Sequence, residues 1–357
     1  MVYQPNKAIH PGHVILRTLE REGMSQKNLS ERTGLTEKHL SQIINGNASI
    51  TVETALLLEN ALGGSASFWI NLEKNYQETT ARLERSSFVR NETKLLSTFP
   101  YLELVQRGYV EQTSNREKRV ENLWKFYGVN SLLAVRDIEP VAFRKRANSK
   151  IKSEAIAAWL RCGELESKKQ SLPTYSETTL KQGVERIKGL FLKPANEYSR
   201  QIRDILKESG VALEYVPHFA GTGVSGSVRW VNENPLMQIS LLGAYADLFW
   251  FNLFHEIGHL LLHGKKEKFI EFNDKTLSTV QDKEKEADDF ATNELINPKV
   301  YAEFIERSEF SKLAIRNFSN DLGMDPGIVA GRLCHEKHVT WKDVASLRPR
   351  LKFPDKE

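Results

Sequence analysis

Cysteine is nearly absent: Cys162 and Cys334 are the only two in 357 residues. A single distant pair makes no disulfide framework, and a reducing, cytoplasmic setting is expected. Long apolar runs are absent as well. The longest, Leu248 to Leu262, is broken by Asn252, His255, Glu256 and His259, which excludes a membrane span and leaves a buried helix. The opening MVYQPNKAIHPG holds no apolar stretch of the kind that marks export, so neither secretion nor a membrane partner is expected. Low-complexity tracts are missing too, so the domains are expected to be packed together or joined by helices rather than tethered loosely.

What is present is 40% hydrophobic and 27% charged, a globular balance with length for two or three domains, each with its own core. The net charge of +4 is unevenly spread. Residues 1–80 carry seven Lys/Arg against eight Glu, whereas residues 81–160 carry fifteen Lys/Arg against nine Asp/Glu. Most of these charges read as solvated helix faces. The basic excess of the second stretch means that nucleic-acid affinity need not reside only at the front.

Near the N-terminus, residues 12–22 place Val14, Ile15 and Leu19 at helical spacing, and Gly23 ends that helix. Ser25 caps a second helix running to Thr33, Gly34 supplies a turn, and Thr36 caps a third helix through Asn45, stopped by Gly46. Ser30, small and four residues before the turn glycine, lets two helices cross closely, while Leu35, Leu40 and Ile43 lock the third onto a core. This is the register of a helix-turn-helix. Glu37, Lys38, Ser41, Gln42 and Asn45 then point away from that core and carry the chemistry to read base edges; with Thr36 they are the expected contacts to double-stranded operator DNA, contact with a protein alone being the alternative. Thr51 caps a fourth helix, Val52 to Leu62, and Ser65 opens a fifth.

HPGHVILRTLEREG, INGNASIT and ALGGSASFWINL resemble the HigA-type antidote branch of the XRE, or lambda-repressor-like, family over residues 10–76. The resemblance implies a homodimer that binds its own operator, represses its own operon and neutralises a cognate toxin.

The middle, 77–173, carries helical patterning and no catalytic motif. The patch Phe143-Arg-Lys-Arg-Ala with Lys150 and Lys152 reads as solvated surface, with phosphate tracking as the alternative. Residues 176–209 give two amphipathic helices. Three extended segments follow, Val211 to Val216, Gly226 to Val231 and Leu236 to Leu241, with Asn234-Pro235 turning the last two.

FWFNLFHEIGHLLLH comes next. His255 and His259 stand one helical turn apart and can share one metal ion, and Glu256 beside them suits a general base rather than a ligand. A catalytic site needs a third protein ligand. In DKEKEADDFA, if Ala287, Phe290 and Ala291 face inward, Glu284 shares their face, and Asp288 can accept the free N–H of a ligand histidine. Glu286, about 200° around the helix, is the alternative ligand. Arg332 or His335 could stabilise an oxyanion if their helix faces the metal, although structural roles are favoured. His10, His13, His218 and His263 read as ordinary.

FWFNLFHEIGHLLLHG followed by EKEADDFATNELINP is similar to the ImmA/IrrE metallopeptidase family over roughly residues 200–340. That resemblance implies Zn2+ on His255, His259 and Glu284, Glu256 as catalytic base, and a repressor protein as substrate. Asn297-Pro298 departs from the Met-Pro common there, and FSNDLGMDPGIVAGRLCHEKHV resembles the tail of fusions between the two families.

The expected fold is mainly α with a small β-sheet (α+β): a lambda-repressor-like helix-turn-helix bundle at 1–80, a helical connector at 81–175, a zincin-like metallopeptidase domain at 176–305 and a helical extension at 306–357. The expected function is a DNA-binding, HigA-like autorepressor with a zinc-dependent endopeptidase domain. A protease acting on a regulator, or a non-catalytic antitoxin that senses or holds a partner through the metal domain, are the alternatives.

Overall fold

The computed structural model describes residues 6–139, 152–240, 242–263, 269–272 and 281–351. Two compact units divide the chain, Met1–Lys94 and Leu95–Glu357. The protein is mainly α-helical with a small sheet.

In the first unit five helices surround one core: α1 (Pro11–Glu22), α2 (Gln26–Thr33), α3 (Glu37–Ile44), α4 (Val52–Leu62) and α5 (Ala66–Glu92). Ser25, Thr36, Thr51 and Ser65 each cap the helix that follows by accepting a backbone N–H, as their positions predict. Ile15, Leu29, Leu40, Ile43, Leu58 and Trp69 fill the core. The Ser30 hydroxyl bonds the Leu35 carbonyl across the turn, a polar tie in addition to small size.

The HPG triplet has a physical reason here. His10 caps α1 through Nδ1, which accepts from Gly12 N at 2.9 Å, and its ring meets Tyr76 edge-on at 4.6 Å. Gly12 is required by the Ile44 carbonyl, onto which an added Cβ would fall. Buried Glu73 accepts the Ile50 N–H at 3.1 Å and so fixes the chain entering α4. The expected boundary at residue 80 falls inside α5, which continues to Glu92.

The second unit begins with α6 (Tyr101–Gln106), α7 (Arg116–Tyr127) and α8 (Val135–Ile138), followed by α9 (Ser153–Ser167), α10 (Glu177–Lys188) and α11 (Ala195–Glu208). Strands β1 (Ala212–Tyr215), β2 (Val224–Val231), β3 (Asn234–Ile239) and β4 (Phe269–Phe272) form one sheet in the order β1-β3-β2-β4. β1 and β3 are parallel, with Leu213 opposite Met237; β2 runs antiparallel to β3 and to β4.

The three expected extended segments are strands, and a fourth, β4, joins them; the expected turn is corrected. The β2–β3 turn is Asn232-Glu233, with Asn232 at φ 55°, while Asn234 and Pro235 belong to β3. Pro235 is tolerated because β1 pairing starts only at Leu236, so the strand is still an edge on that side.

One sheet face carries Gln238, whose amide donates to the Trp159 carbonyl of α9 at 2.6 Å, and Gly163 lets that helix lie directly on Gln238. The other carries Leu213, Val228, Met237 and Ile239 into the main core. Helix α12 (Ala246–Leu262) supplies Trp250, Leu253, Phe254 and Ile257 to the same core. Full burial of each such side chain contributes about 1.5–3 kcal/mol, which offsets the burial of His255, Glu256 and His259 on the same helix. α12 ends at Leu262 with His263 as its C-cap, and Gly264, the expected stop, lies outside the described residues. α13 (Gln281–Leu295), α14 (Pro298–Glu306), α15 (Lys312–Asp321) and α16 (Pro326–His335) complete the unit.

Candidate metal centre and nucleic-acid interface

The approach of α13 to α12 creates the site. Gly258 makes that approach close, since a Cβ there would stand 3.3 Å from Ala287 Cα and 3.0 Å from the Phe290 ring. Ala287 and Ala291 are fully buried, so Glu284, one turn earlier, faces α12 as their spacing predicts.

His255 Nε2 and His259 Nε2 lie 2.9 Å apart, and Glu284 Oε2 is 3.3 Å from the first and 3.8 Å from the second. Among the described residues these three donors form the one metal-type cluster, all within 4.8 Å of one another. Ligands tetrahedrally placed at zinc distances of about 2.0–2.1 Å stand about 3.3 Å apart, so the donor set matches one such ion in kind and spacing.

Electrostatics favour the metal-binding protonation states. Burial, with His255 and His263 adding to it, pushes His259 down to about 4 against the pull of Glu284, so its imidazole is neutral at pH 7. Burial alone would raise Glu284, but its bonds to His255 and His259 hold it well below the usual carboxylate range. Neutral imidazoles and an ionised carboxylate are the forms a metal requires.

Outside the donors, His255 Nδ1 stands 3.0 Å from Asp288 Oδ1, where an N–H would donate to the carboxylate. Glu286, the alternative ligand, turns away: it is 61% exposed and sits 3.0 Å from His263 Nε2. His263 in turn lies 3.0 Å from His259 Nδ1. The structure thus joins His263, expected to be ordinary, to the site. The signal was in the sequence, since 255, 259 and 263 form a stripe at four-residue spacing. Glu256 is fully buried, and a Cβ on Gly226 of β2 would fall on its Oε1, so a glycine is needed there.

Arg332 and His335 lie on α16. Arg332 stands 3.6 Å over the Tyr301 ring and donates to Glu336 at 2.9 Å and to the Ile296 carbonyl at 3.3 Å, which ties α16 to the end of α13. Neither residue is in the donor cluster; both line a cavity whose other walls include Phe251 and Asn252 of α12.

In the first unit, Thr36, Glu37, Lys38, Gln42 and Asn45 are exposed and Ser41 is half-buried. All six occupy α3 or its two ends, and Asn45 Nδ2 donates to Ser41 Oγ at 3.1 Å. Of the basic patch, Phe143 to Ala147 and Lys150 lie outside the described residues; the Lys152 N–H donates to the Gly221 carbonyl at 3.0 Å.

With this geometry, similarity to known proteins can be placed on the two units. A helix-turn-helix family model matches residues 15–69, and a peptidase-family model described as IrrE N-terminal-like domain matches residues 230–332. Virulence-associated protein I of Dichelobacter nodosus is 30% identical over 81 residues, 22% of this chain and 75% of that protein. The chain belongs to the helix-turn-helix family of that protein and carries an IrrE-like domain behind it. Two solved structures are similar, each at 30% identity. An addiction module antidote protein of a HigA family from Coxiella burnetii covers 24% of this chain and 95% of its own, with a TM-score of 0.23. A plasmid-maintenance antidote from Nostoc punctiforme covers 26% and 96%, again at 0.23. By its front unit the protein is a DNA-binding regulator of the helix-turn-helix type, with an IrrE-like domain in the second. No helix among the described residues is long and apolar enough to cross a membrane.

Proposed function

We propose that this HigA–IrrE fusion is a cytoplasmic, homodimeric autorepressor of the antitoxin type whose second unit is a zinc-dependent endopeptidase acting on a repressor or partner protein. The observation that carries the enzymatic half is the pairing of a complete donor set with a buried carboxylate that is not part of it: His255, His259 and Glu284 cluster, and Glu256 is held against Gly226. A relic that only held metal would have no use for Glu256.

His255, His259 and Glu284 would hold the ion, which when bound acidifies water and polarises a peptide carbonyl. Asp288 fixes the tautomer of His255 by accepting from Nδ1 and leaves Nε2 bare toward the centre. Glu256 takes a proton from the attacking water and passes it to the leaving amine. Its burial removes competing bulk water and holds the carboxylate in one place. In the front unit, Lys38 and Gln42 read bases while Thr36 and Ser41 hold the backbone of operator DNA, and a dimer pairs two half-sites.

The test replaces Glu256 by Gln in the full chain. Zinc content by elemental analysis is expected to stay at one ion per chain while cleavage of the co-purified or operon-encoded partner stops. Retained cleavage by Glu256→Gln would overturn the assignment of the base, and zinc lost with Glu256 would overturn the assignment of the ligands.

A further inference from the structure

α12 carries a third histidine beyond the pair that faces Glu284. His263 is its C-cap: the backbone turns extended there (φ −116°, ψ 137°), while the His263 N–H still closes the last turn onto the His259 carbonyl at 3.2 Å. The ring folds back as well, and its Nδ1 stands 3.0 Å from His259 Nδ1. Its side chain is 3% exposed. His263 thus meets one ligand histidine with both backbone and ring. It does so through the ring nitrogen that does not face the donor cluster, since His259 Nε2 is the one turned toward His255 and Glu284.

Two ring nitrogens at 3.0 Å share one proton, and the far end of His263 decides which of them carries it. His263 Nε2 lies 3.0 Å from Glu286 Oε2. A carboxylate only accepts, so Nε2 carries the His263 proton and, in the neutral ring, Nδ1 is left as an acceptor. His259 Nδ1 must then donate, which leaves its Nε2 bare. Asp288 accepts from His255 Nδ1 and leaves the second Nε2 bare in the same way. With both ring protons drawn outward, the two bare nitrogens, 2.9 Å apart, and the Glu284 oxygen converge with lone pairs alone. Such a buried set of acceptors is satisfied by a cation between them.

We infer that His263 is a positioning residue for the candidate metal centre: it accepts from His259 Nδ1, holds that ring in the tautomer with Nε2 free, and is itself oriented by Glu286. The inference rests on the reading that His255, His259 and Glu284 hold the ion. The two ligand histidines are then oriented by different means. One is held directly by a carboxylate of α13, the other through a buried ring whose own carboxylate, Glu286, is 61% exposed. The buried ring carries the effect, since Glu286→Gln retains an oxygen that accepts from Nε2. A histidine kept only to fill space at the end of α12 would be replaceable by a side chain of similar volume.

Zinc affinity of the full-length chain is measured by competition with a chromophoric chelator for wild type, His263→Leu and His263→Asn, with the thermal midpoint of each chelated protein as the folding control. His263→Leu keeps the bulk and removes the acceptor, and is expected to weaken zinc binding about 10–100-fold. His263→Asn is smaller, but its Oδ1 stands as many bonds from the backbone as Nδ1 does, so it is expected to recover most of that loss. Packing alone predicts the reverse order, with His263→Leu at wild-type affinity and His263→Asn below it, and that result overturns the inference. The wild type is tested without substitution. In the zinc-loaded chain with isotope-labelled histidine, NMR is expected to find the His259 proton on Nδ1, the His263 proton on Nε2, and a coupling between the two Nδ1 nuclei across the hydrogen bond. A His263 proton on Nδ1 overturns the inference even where both variants fail to fold. A wild-type chain that takes up zinc, with His263→Leu unchanged from it, rejects the role of His263 alone. One that takes up no zinc overturns the ligand assignment, and the inference falls with it.

Discussion

Asp288 offers a test of the candidate metal centre that needs no substrate. It accepts from His255 Nδ1 at 3.0 Å, and it lies one turn after Glu284 on the same face of α13. Loss of such an outer carboxylate weakens metal affinity about 10–100-fold. With free zinc at one hundred times Kd, binding stabilises the native state by about 2.7 kcal/mol, which for a unit the size of Leu95–Glu357 raises its midpoint by roughly 5–10 °C. In Asp288→Asn the same zinc would stand at only ten times Kd down to Kd itself, leaving about 1.4 to 0.4 kcal/mol and a rise of roughly 1–5 °C. Glu286→Gln is the matched control. Glu286 is 61% exposed and reaches His259 only through His263, so its removal is expected to cost less than about 1 kcal/mol. Scanning calorimetry of the full chain with zinc and with chelator reads all three proteins. The reasoning is refuted if Glu286→Gln abolishes the zinc-dependent rise while Asp288→Asn keeps it, because α13 would then present its other face to the ion.

Gly226→Ala is expected to retain zinc and lower turnover about 100-fold, the cost of displacing a reacting group by about 1 Å, since the new Cβ takes the space of Glu256 Oε1. Unchanged turnover, with zinc content as the internal control, would remove Glu256 from the chemistry. In the front unit, Lys38→Ala with Gln42→Ala leaves the core untouched, so the midpoint should move by less than about 0.5 kcal/mol. Preference for the protein's own promoter over random duplex in a mobility-shift titration should fall by roughly tenfold or more, the discrimination of one good bidentate contact. Undiminished preference would take α3 out of the groove.

The parts of the fold legible in the sequence are those fixed by local chemistry. Ser25, Thr36, Thr51 and Ser65 announce their helices because a side-chain oxygen must meet an N–H a few residues on. Glu284 is legible because Ala287 and Ala291 fix which face of α13 is inward. What the sequence conceals is set by distant neighbours. β4 has four residues, too few for alternation to register, and its pairing with β2 is irregular. Gly12 and Gly226 look like any glycine until the Ile44 carbonyl and the Glu256 carboxylate are placed against them. Asn234-Pro235 reads as a turn by composition, yet the pairing of β1 begins one residue too late to exclude a proline.

Helix α12 explains why one short motif governs the whole second unit. Asp247 at its start is bound to Arg348 and pressed by Gly331 of α16, so its first turn reports on the C-terminal segment. Phe251 and Asn252 line the cavity, His255 and His259 point to Glu284, and His263 at the end contacts Glu286. These tasks fall at spacings of three and four, down faces that the buried Trp250, Phe254 and Ile257 hold rigid. A shift of α16 that loosened the Asp247–Arg348 pair would therefore act first on the cavity, one to two turns before it reached the histidines.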